Sequence, residues 1–313
     1  MSAAGRSDAG DYSPTAERSI PRELAGLRLD QALARVYPEH SRSRLQAWVR
    51  AGRVLLDAHP AADVTRKVWG GERVALAAPA AVRDAAPAEA IALPIVYEDD
   101  AVLVIDKPAG LVVHPGAGNR RGTMLNALLH HAPALARVPR AGIVHRLDKD
   151  TTGLLVVAKT AEAHTDLVRQ LAARTVTREY RAIVHGRMTG TGVVDAPIGR
   201  HPVARTRMAV SARGRAARTR YRAVEQFADA TLVALTLDTG RTHQIRVHMR
   251  SIGHPLGGDP TYGRRRGASG ATAGFPRQAL HAARLGFVHP VTRAPQEWSA
   301  ALPADMRALL ASL

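Results

Sequence analysis

The chain has 313 residues, and 44 lysines and arginines against 27 acidic residues give it a formal net charge of +17. A surface this basic favours a polyanionic partner, of which nucleic acid is the commonest, whereas the plainer interpretation is a solvated basic face. The absence of cysteine excludes disulfides, cysteine-ligated zinc and thiolate catalysis. The sequence has no signal-peptide core and no run of about 18 apolar residues, so we expect a cytoplasmic protein without a membrane span.

Two short helices followed by a strand are predicted for residues 20–77, after a polar tail over residues 1–19 that we expect to be disordered. Leu29 and Leu33 recur at helical spacing, and Gly52 stands where the second helix should end. Basic residues crowd the second helix and its end, which makes them candidate RNA contacts: Arg42, Arg44, Arg50 and Arg53.

The Ala/Pro-rich segment 78–93 is interpreted as a linker, and residues 94–313 form a second domain. In that domain VLVIDKPAGLVVHP predicts a hairpin that turns at residues 107–110. LLVVAKT predicts a strand that runs into a helix, REYRAIVHG and ATLVALTLDTG predict further strands, and RTHQIRVHMRSIG predicts a helix that ends at Gly253. The fold class indicated is α+β, with a mostly antiparallel mixed sheet flanked by helices.

The segment HRLDKDTTG places two aspartates, Asp148 and Asp150, on one short turn. A calcium loop would need an acid at its last ligand position, where Lys159 stands. A glycosidase pair would need carboxylates on opposite sides of a sugar, which two residues of one turn do not easily provide. The glycine-rich segment HPGAGNRRG lacks the spacing of a phosphate loop. We therefore expect no metal and no cofactor, and one aspartate that faces a substrate.

A basic segment runs from Arg200 to Arg222, with eight arginines and no acid. A solvated face usually mixes the two signs of charge, so this segment predicts a β-ribbon that follows phosphates. The candidate phosphate contacts are Arg205, Arg207, Arg213, Arg215, Arg218 and Arg220.

Three long segments, RAGIVHRLDKDTTGLLVVAKT, TREYRAIVHG and TGRTHQIRVHMRSIGHPLGGDPTYG, resemble in this order the RluA/RluD-type RNA pseudouridine synthases. The likeness covers about residues 20–310, and residues 20–77 resemble an S4-type RNA-binding domain. The resemblance implies an enzyme that converts uridines to pseudouridine, in large-subunit (23S) ribosomal RNA, without a cofactor. In this reaction the N1–C1′ bond breaks, the uracil rotates, and C5 becomes bonded to C1′.

The resemblance also implies roles for single residues. Asp148 matches the catalytic aspartate, either as a nucleophile or as the base that removes the C2′ proton. Arg241 matches the arginine paired with that carboxylate, and Tyr180 matches the tyrosine that packs on the base. Arg146 matches the residue that fills the gap left by the flipped nucleotide, and Ile245 lines the uracil pocket.

The second aspartate, Asp150, is then expected to stabilise the turn through bonding between its side chain and the backbone. Two alternatives remain: a non-catalytic RNA-binding or ribosome-assembly protein, and a synthase that acts on transfer RNA. Asp148, Arg241 and Tyr180 on one chain argue against the first, and a DNA-binding regulator lacks a recognition-helix pair. We expect RNA as the partner and a monomer as the oligomeric state.

Overall fold

The computed structural model describes residues 17–38, 40, 42–76, 86–116, 119–263 and 271–313. The chain divides into two compact units, Met1–Ala85 and Ala86–Leu313. Residues 1–16 of the predicted tail and 78–85 of the predicted linker lie outside the described residues, and the predicted domain boundaries stay predictions. Within the described ranges, no helix is long and apolar enough to cross a membrane.

The N-terminal unit packs two helices on a small antiparallel sheet. Its elements are β1 Arg18–Ser19, α1 Leu29–Val36, α2 Arg42–Arg50, β2 Val54–Leu56, β3 His59–Pro60 and β4 Arg73–Leu76. The strands pair in the order β1-β4-β2-β3, and a 3₁₀ turn at Arg22–Leu24 precedes α1. Both predicted helices are present, and Gly52 lies just past α2 with φ +67°, a conformation that glycine adopts without strain.

A buried carboxylate ties the two helices of this unit together. The Asp30 side chain is fully buried, and it accepts hydrogen bonds from Arg42 Nη2 at 2.8 Å and Gln46 Nε2 at 2.6 Å. Burial alone would raise the pKa of Asp30, but the bonds and charge of Arg42 outweigh it and leave that pKa lowered. Arg42, predicted to contact RNA, is therefore engaged in an ion pair inside the unit.

The C-terminal unit contains eleven strands and four helices among its described residues. The strands are β5 Ile95–Glu98, β6 Val102–Lys107, β7 Thr152–Ala158, β8 Thr177–His185, β9 Thr191–Asp195, β10 Ile198–Arg200, β11 Met208–Val210, β12 Arg218–Gln226, β13 Ala230–Leu237, β14 Leu280–Val288 and β15 Pro295–Ser299. The helices are α3 Met124–His131, α4 Ala161–Ala173, α5 Gln244–Ser251 and α6 Ala304–Ala311. Short 3₁₀ segments lie at Pro133–Arg137, Pro139–Gly142 and Ala271–Gly274.

Nine of these strands form one sheet, in the order β5-β6-β7-β14-β8-β13-β12-β9, with β15 paired to β14. Only the β7–β14 pair is parallel, which confirms the predicted α+β fold with a mostly antiparallel mixed sheet. Strands β10 and β11 form a separate two-stranded ribbon.

The predicted hairpin around residues 107–110 is wrong. β6 pairs with β5 on one edge and with β7 on the other, so the chain that leaves Pro108 finds no free edge of β6 to join. Val112 makes only an isolated parallel bridge to Thr123.

β7 lies inside the sheet, with apolar packing on both of its faces and all seven residues buried. Leu155 and Val157 pack in one hydrophobic cluster, whereas Leu154 and Val156 pack in another. This alternation follows from the two-residue period of a strand. β7 therefore anchors the polar turn that precedes it.

Gly153 is where the backbones of β7 and β14 approach most closely. Its φ is +109°, and a Cβ there would overlap the backbone of Ala282. We expect Gly153→Ala to lower the free energy of unfolding by about 3 kcal/mol or more, since strain and overlap add. Gly253→Ala is the control, because Gly253 also has a positive φ, +87°, but no atom lies within 4 Å of the added Cβ. Gly253→Ala should lower the free energy of unfolding, measured by chemical denaturation, by about 1 kcal/mol. Equal losses of stability in the two variants would contradict the overlap argument.

Candidate active site

A cavity of about 700 Å³ opens between the turn before β7, strand β8 and the start of α5. This volume is in the range of small-molecule sites in proteins. The five residues predicted for catalysis and the base pocket all line it: Arg146, Asp148, Tyr180, Arg241 and Ile245.

Asp148 is held at this cavity by a chain of three charged groups. Arg246 Nη1 donates to Asp148 Oδ2 at 2.9 Å. The rest of the Arg246 guanidinium binds Asp259 in a bidentate pair, Nε–Oδ2 2.7 Å and Nη2–Oδ1 2.9 Å. Asp259 Oδ1 also accepts the backbone N–H groups of Thr261 and Tyr262. The arginine therefore presents one N–H to Asp148 from a fixed position.

Arg246 and Asp259 hold each other in the charged form. Burial would lower the pKa of Arg246, but Asp259 and Asp148 raise it above its ordinary value. Burial would likewise raise the pKa of Asp259, and the bonds and charge of Arg246 lower it instead. Since Arg246 is shared between two carboxylates, Asp148 faces a permanent positive charge.

The predicted pairing of Arg241 with Asp148 is wrong. Arg241 Nε donates to the carbonyl of Ala216 at 3.0 Å, and Arg246 takes the position beside Asp148. The physical reason is the position of α5, which begins at Gln244 with His243 as its N-cap. Arg241 therefore lies before the helix, whereas Arg246 lies in its first turn and faces the carboxylate.

His243 lies beside the second carboxylate oxygen of Asp148. Its Nδ1 forms a hydrogen bond of 2.8 Å with the Tyr262 hydroxyl, which also accepts the Met208 N–H at 2.8 Å. We assign the hydroxyl as the donor to Nδ1, which places the proton of the neutral ring on Nε2, 3.9 Å from Asp148 Oδ1. Burial lowers the pKa of His243 and outweighs the opposing effect of Asp148, so the ring is a neutral donor towards the cavity.

Two buried cations fix the backbone of the aspartate turn. Lys107 is fully buried at the end of β6, and its Nζ donates to the carbonyls of Lys149 at 2.8 Å, Pro108 at 2.6 Å and Leu111 at 3.0 Å. Arg277 Nη1 donates to the Asp150 carbonyl at 3.0 Å. Burial lowers the pKa of Lys107 to about 8, against the opposing charges of Asp150 and Asp148.

Asp150 takes part in this arrangement differently from the prediction. Among the described residues its carboxylate forms no hydrogen bond to the backbone, and only its carbonyl is bonded, to Arg277. The half-buried carboxylate acts on Lys107 through charge.

The remaining predicted pocket residues occupy distinct walls of the cavity. Tyr180, in β8, is buried, and its pKa is raised by burial and further by Asp148, against an opposing effect of Arg178. Ile245 is buried in the first turn of α5, and Arg146 is exposed next to Leu147. Their roles towards a nucleotide stay predictions.

The predicted RNA-binding arginines fall into two groups. The exposed arginines that form no ion pair with another described residue are Arg50, Arg205, Arg207, Arg213 and Arg215, and Arg53 is half-buried. Arg218 and the exposed Arg220 both pair with Asp238, at 3.5 Å and 3.2 Å. The segment has no acid of its own, but β9 and the end of β13 bring acids to these two positions. Whether these arginines contact RNA stays a prediction. The side chain of Arg44 lies outside the described residues.

The ribbon itself is shorter than predicted. Only Ile198–Arg200 and Met208–Val210 pair as strands, and β12, from Arg218, belongs to the main sheet. Arg205 and Arg207 lie in the turn of the ribbon, which Arg200 closes by donating to the Arg205 carbonyl.

The chain is similar to proteins of two known families. The family model for RNA pseudouridylate synthase matches residues 101–251, and that for the S4 domain matches residues 27–74. The ribosomal large subunit pseudouridine synthase D of Nitrosomonas europaea is 58% identical over 303 residues, 96% of this chain and 88% of the relative. The protein of the same name from Pseudomonas aeruginosa is 53% identical over 305 residues, 94% of each chain.

The chain belongs to the RNA pseudouridylate synthase family. A solved structure, human RNA pseudouridylate synthase domain containing 1, aligns with a TM-score of 0.55 at 27% identity, over 69% of this synthase and 85% of the human chain. These findings confirm the predicted family, the S4 domain and an enzyme of the pseudouridine synthase class.

Four residues of the site were not predicted: Lys107, His243, Arg246 and Asp259. The segments that contain them, DKPAG, TGRTHQIR and GGDPTYG, stood out in the sequence. A buried carboxylate needs a buried cation as its partner. The aspartate of GGDPTYG and the second arginine of TGRTHQIR, next to Ile245, were therefore the sequence features from which this ion pair could have been predicted.

The two arginines at the start of α5 can be separated by substitution. Arg246→Lys keeps one charge but cannot bind both Asp148 and Asp259, so the single-turnover rate should fall by about 100-fold or more. Arg241→Gln leaves both carboxylates paired and should cost less than about tenfold. The single-turnover rates of both variants are measured at saturating enzyme. An inactive Arg241→Gln together with an active Arg246→Lys would support the predicted pairing of Arg241 with Asp148.

Lys107 provides a test of the buried anchor. Lys107→Met keeps the length of the side chain but releases the Lys149 carbonyl, so the single-turnover rate should fall by about 10- to 100-fold in a folded protein. Lys159→Met is the control, because Lys159 also binds a carbonyl, that of Asp99, but forms no hydrogen bond to the aspartate turn among the described residues. Its rate should stay within about twofold, and an unchanged rate in Lys107→Met would contradict the anchoring role.

Lys107→Met should also change how the stability of the protein depends on pH. The folded state gives up the Lys107 proton near pH 8, whereas the unfolded chain holds it to about pH 10.4. The unfolded state therefore binds more protons in this window, and the stability of the wild type relative to Lys107→Met should rise between about pH 8 and 10.

Proposed function

We propose that this synthase isomerises uridines of large-subunit ribosomal RNA, with Asp148 as its catalytic carboxylate. The observation that carries the proposal is the position of Asp148, the one acid among the described residues that line a cavity with five arginines. The relatives that match nearly the whole chain carry the name ribosomal large subunit pseudouridine synthase D, which supports the choice of RNA.

The uridine enters the cavity after it has left its RNA stack, a step that costs a few kcal/mol. Arg146, exposed at the cavity, fills the space that the base vacates. Tyr180 and Ile245 pack against the uracil, and their apolar surroundings exclude water from the reacting atoms.

Asp148 then acts on the sugar. Arg246 aims the carboxylate through a charge-assisted hydrogen bond, which serves a nucleophile at C1′ and a base at C2′ equally well. The N1–C1′ bond breaks with its electron pair on N1, the uracil rotates within the cavity, and C5 bonds to C1′, which releases Asp148 if it has served as the nucleophile. C5 then loses its proton to water and N1 takes one up, so the reaction is an isomerisation with no net change in protons. His243 offers a neutral N–H beside the carboxylate during these steps.

The basic surface brings the RNA to this site. The net charge of +17 and the exposed arginines of the β10–β11 ribbon attract phosphates over a long range. The S4 domain adds a second RNA-binding unit. We further propose that the protein acts as a monomer in the cytoplasm.

Substitution of Asp148 tests the proposal directly. Asp148→Asn should abolish the release of tritium from large-subunit RNA labelled at C5 of uridine, since an amide supplies neither nucleophile nor base. RNA affinity should stay within about threefold, because the exposed arginines are unchanged. Asp150→Asn is the control and should lose less than about tenfold, because its carboxylate acts only through Lys107.

Three outcomes would contradict the proposal. Turnover by Asp148→Asn would remove the aspartate from the chemistry, and an equally inactive Asp150→Asn would reverse the two roles. Tritium release from transfer RNA, with none from ribosomal RNA, would show that the substrate is wrong.

A further inference from the structure

Arg178 is a buried cation that the mechanism above does not use. It is 7% exposed, lies in β8 two residues before Tyr180, and lines the same cavity. Its one hydrogen bond among the described residues runs from Nη2 to the Leu237 carbonyl at a long 3.3 Å. Its Nε is buried without any hydrogen-bond partner in the described chain.

No carboxylate compensates this charge. In the described parts of the chain Arg178 forms no ion pair, and its neighbour Glu179 points to the other face of β8, where it meets Arg181 and Arg284. A buried guanidinium without an anion is costly to the fold, and an apolar residue of similar size would avoid that cost. Its presence therefore calls for a ligand.

The backbone opposite leaves room for the guanidinium. Gly240 also lines the cavity, and a Cβ at this position would come within 2.9 Å of Arg178 Nη1. Nη1 itself forms no hydrogen bond with any described residue. One edge of the planar group is thus left without a protein partner at the cavity wall.

The cavity as a whole favours an anion. Of its five lining arginines, Arg246 is neutralised by Asp148 and Asp259, and the other four have no acidic partner among the described residues. The surrounding histidines respond to this charge: burial, then Arg140 and Arg146, lower the pKa of His114 to about 4. Burial, then Arg178, lower the pKa of His145 to about 3.

From these observations we infer that Arg178 is a phosphate-binding residue of the uridine pocket, which takes the backbone phosphate of the nucleotide that enters. The inference rests on the proposed function, because uracil is neutral and the phosphate is the anion that an RNA nucleotide carries. An arginine fork matches two phosphate oxygens in a bidentate contact.

A stability measurement separates this role from a structural one. Arg178→Met removes an unpaired buried charge, so its melting temperature should rise by about 2 to 4 °C while RNA turnover falls. A residue that merely supports the fold would show the opposite, a lower melting temperature. Arg181→Met, on the opposite face of the same strand, is the matched control and should leave turnover within about twofold.

A second measurement identifies the phosphate. A short RNA that the wild type converts is prepared with a single neutral methylphosphonate linkage, on the 5′ or on the 3′ side of the target uridine. The wild type should lose about 10- to 100-fold in kcat/KM with one of these linkages. Arg178→Met should show that loss on the unmodified RNA and no further loss with the same linkage.

Displacement of the guanidinium should act like its removal. Gly240→Ala keeps every charge but pushes on Nη1, so it should reduce kcat/KM on the unmodified RNA and be less sensitive than the wild type to the neutral linkage. The inference is overturned if neither neutral linkage lowers kcat/KM of the wild type. It is also overturned if the linkage lowers kcat/KM of Arg178→Met by the same factor as it does in the wild type.

Binding of small ligands keeps this test independent of the RNA substrate. By competition, the uridine monophosphate whose phosphate is on the side identified by the linkage test, 5′ or 3′, should bind the wild type at least about tenfold more tightly than uridine, and Arg178→Met should bind both equally. Absence of turnover on ribosomal RNA would overturn the proposed substrate alone. Equal binding of the two ligands by the wild type would overturn the role of Arg178 alone.

Discussion

The shared guanidinium of Arg246 is the interaction on which the site depends. Asp259 accepts from Nε and Nη2 of this guanidinium, which leaves Nη1 to donate to Asp148. An arginine bound to Asp148 alone could swing with it, whereas one clamped from behind defines the position of the carboxylate. The acid of the GGDP segment thus controls geometry at the cavity without lining it.

The backbone under Asp148 is fixed on the same principle. Lys107 and Arg277 hold successive carbonyls of the aspartate turn, and both cations come from elements far away in the sequence. Arg277 is held in turn by Asp305 at the start of α6, through bonds of 2.7 Å and 2.9 Å. Charge pairs thus reach from the last helix to the aspartate turn, which makes the turn rigid although it has little regular structure.

The sequence predicted the helices and strands better than it predicted which strands and which charged side chains would pair. Strands such as LLVVAKT and REYRAIVHG were predicted because their apolar patterns are local, and the motif segments led to Asp148, Tyr180 and Ile245. The hairpin after Lys107 failed because strand pairing depends on which edges are free, and β7 had already taken that edge. The family resemblance pointed to Arg241, and the local sequence did not show that Arg246, in the first turn of α5, would be the arginine beside Asp148. Asp195 and Asp238 reach the arginine segment only through folding.

The parallel pairing of β7 with β14 has a consequence for the order of assembly. β14 lies between β7 and β8 in the middle of the sheet, yet it follows them by about a hundred residues in the chain. A growing polypeptide that ended before residue 280 would lack the strand that joins the two halves of the cavity wall, and one that ended before residue 305 would lack the partner of Arg277. Contacts so distant in sequence form late and slowly. The aspartate turn therefore reaches its final geometry only after nearly the whole chain has been synthesised, so a product of translation that ended before β14 would lack the folded cavity.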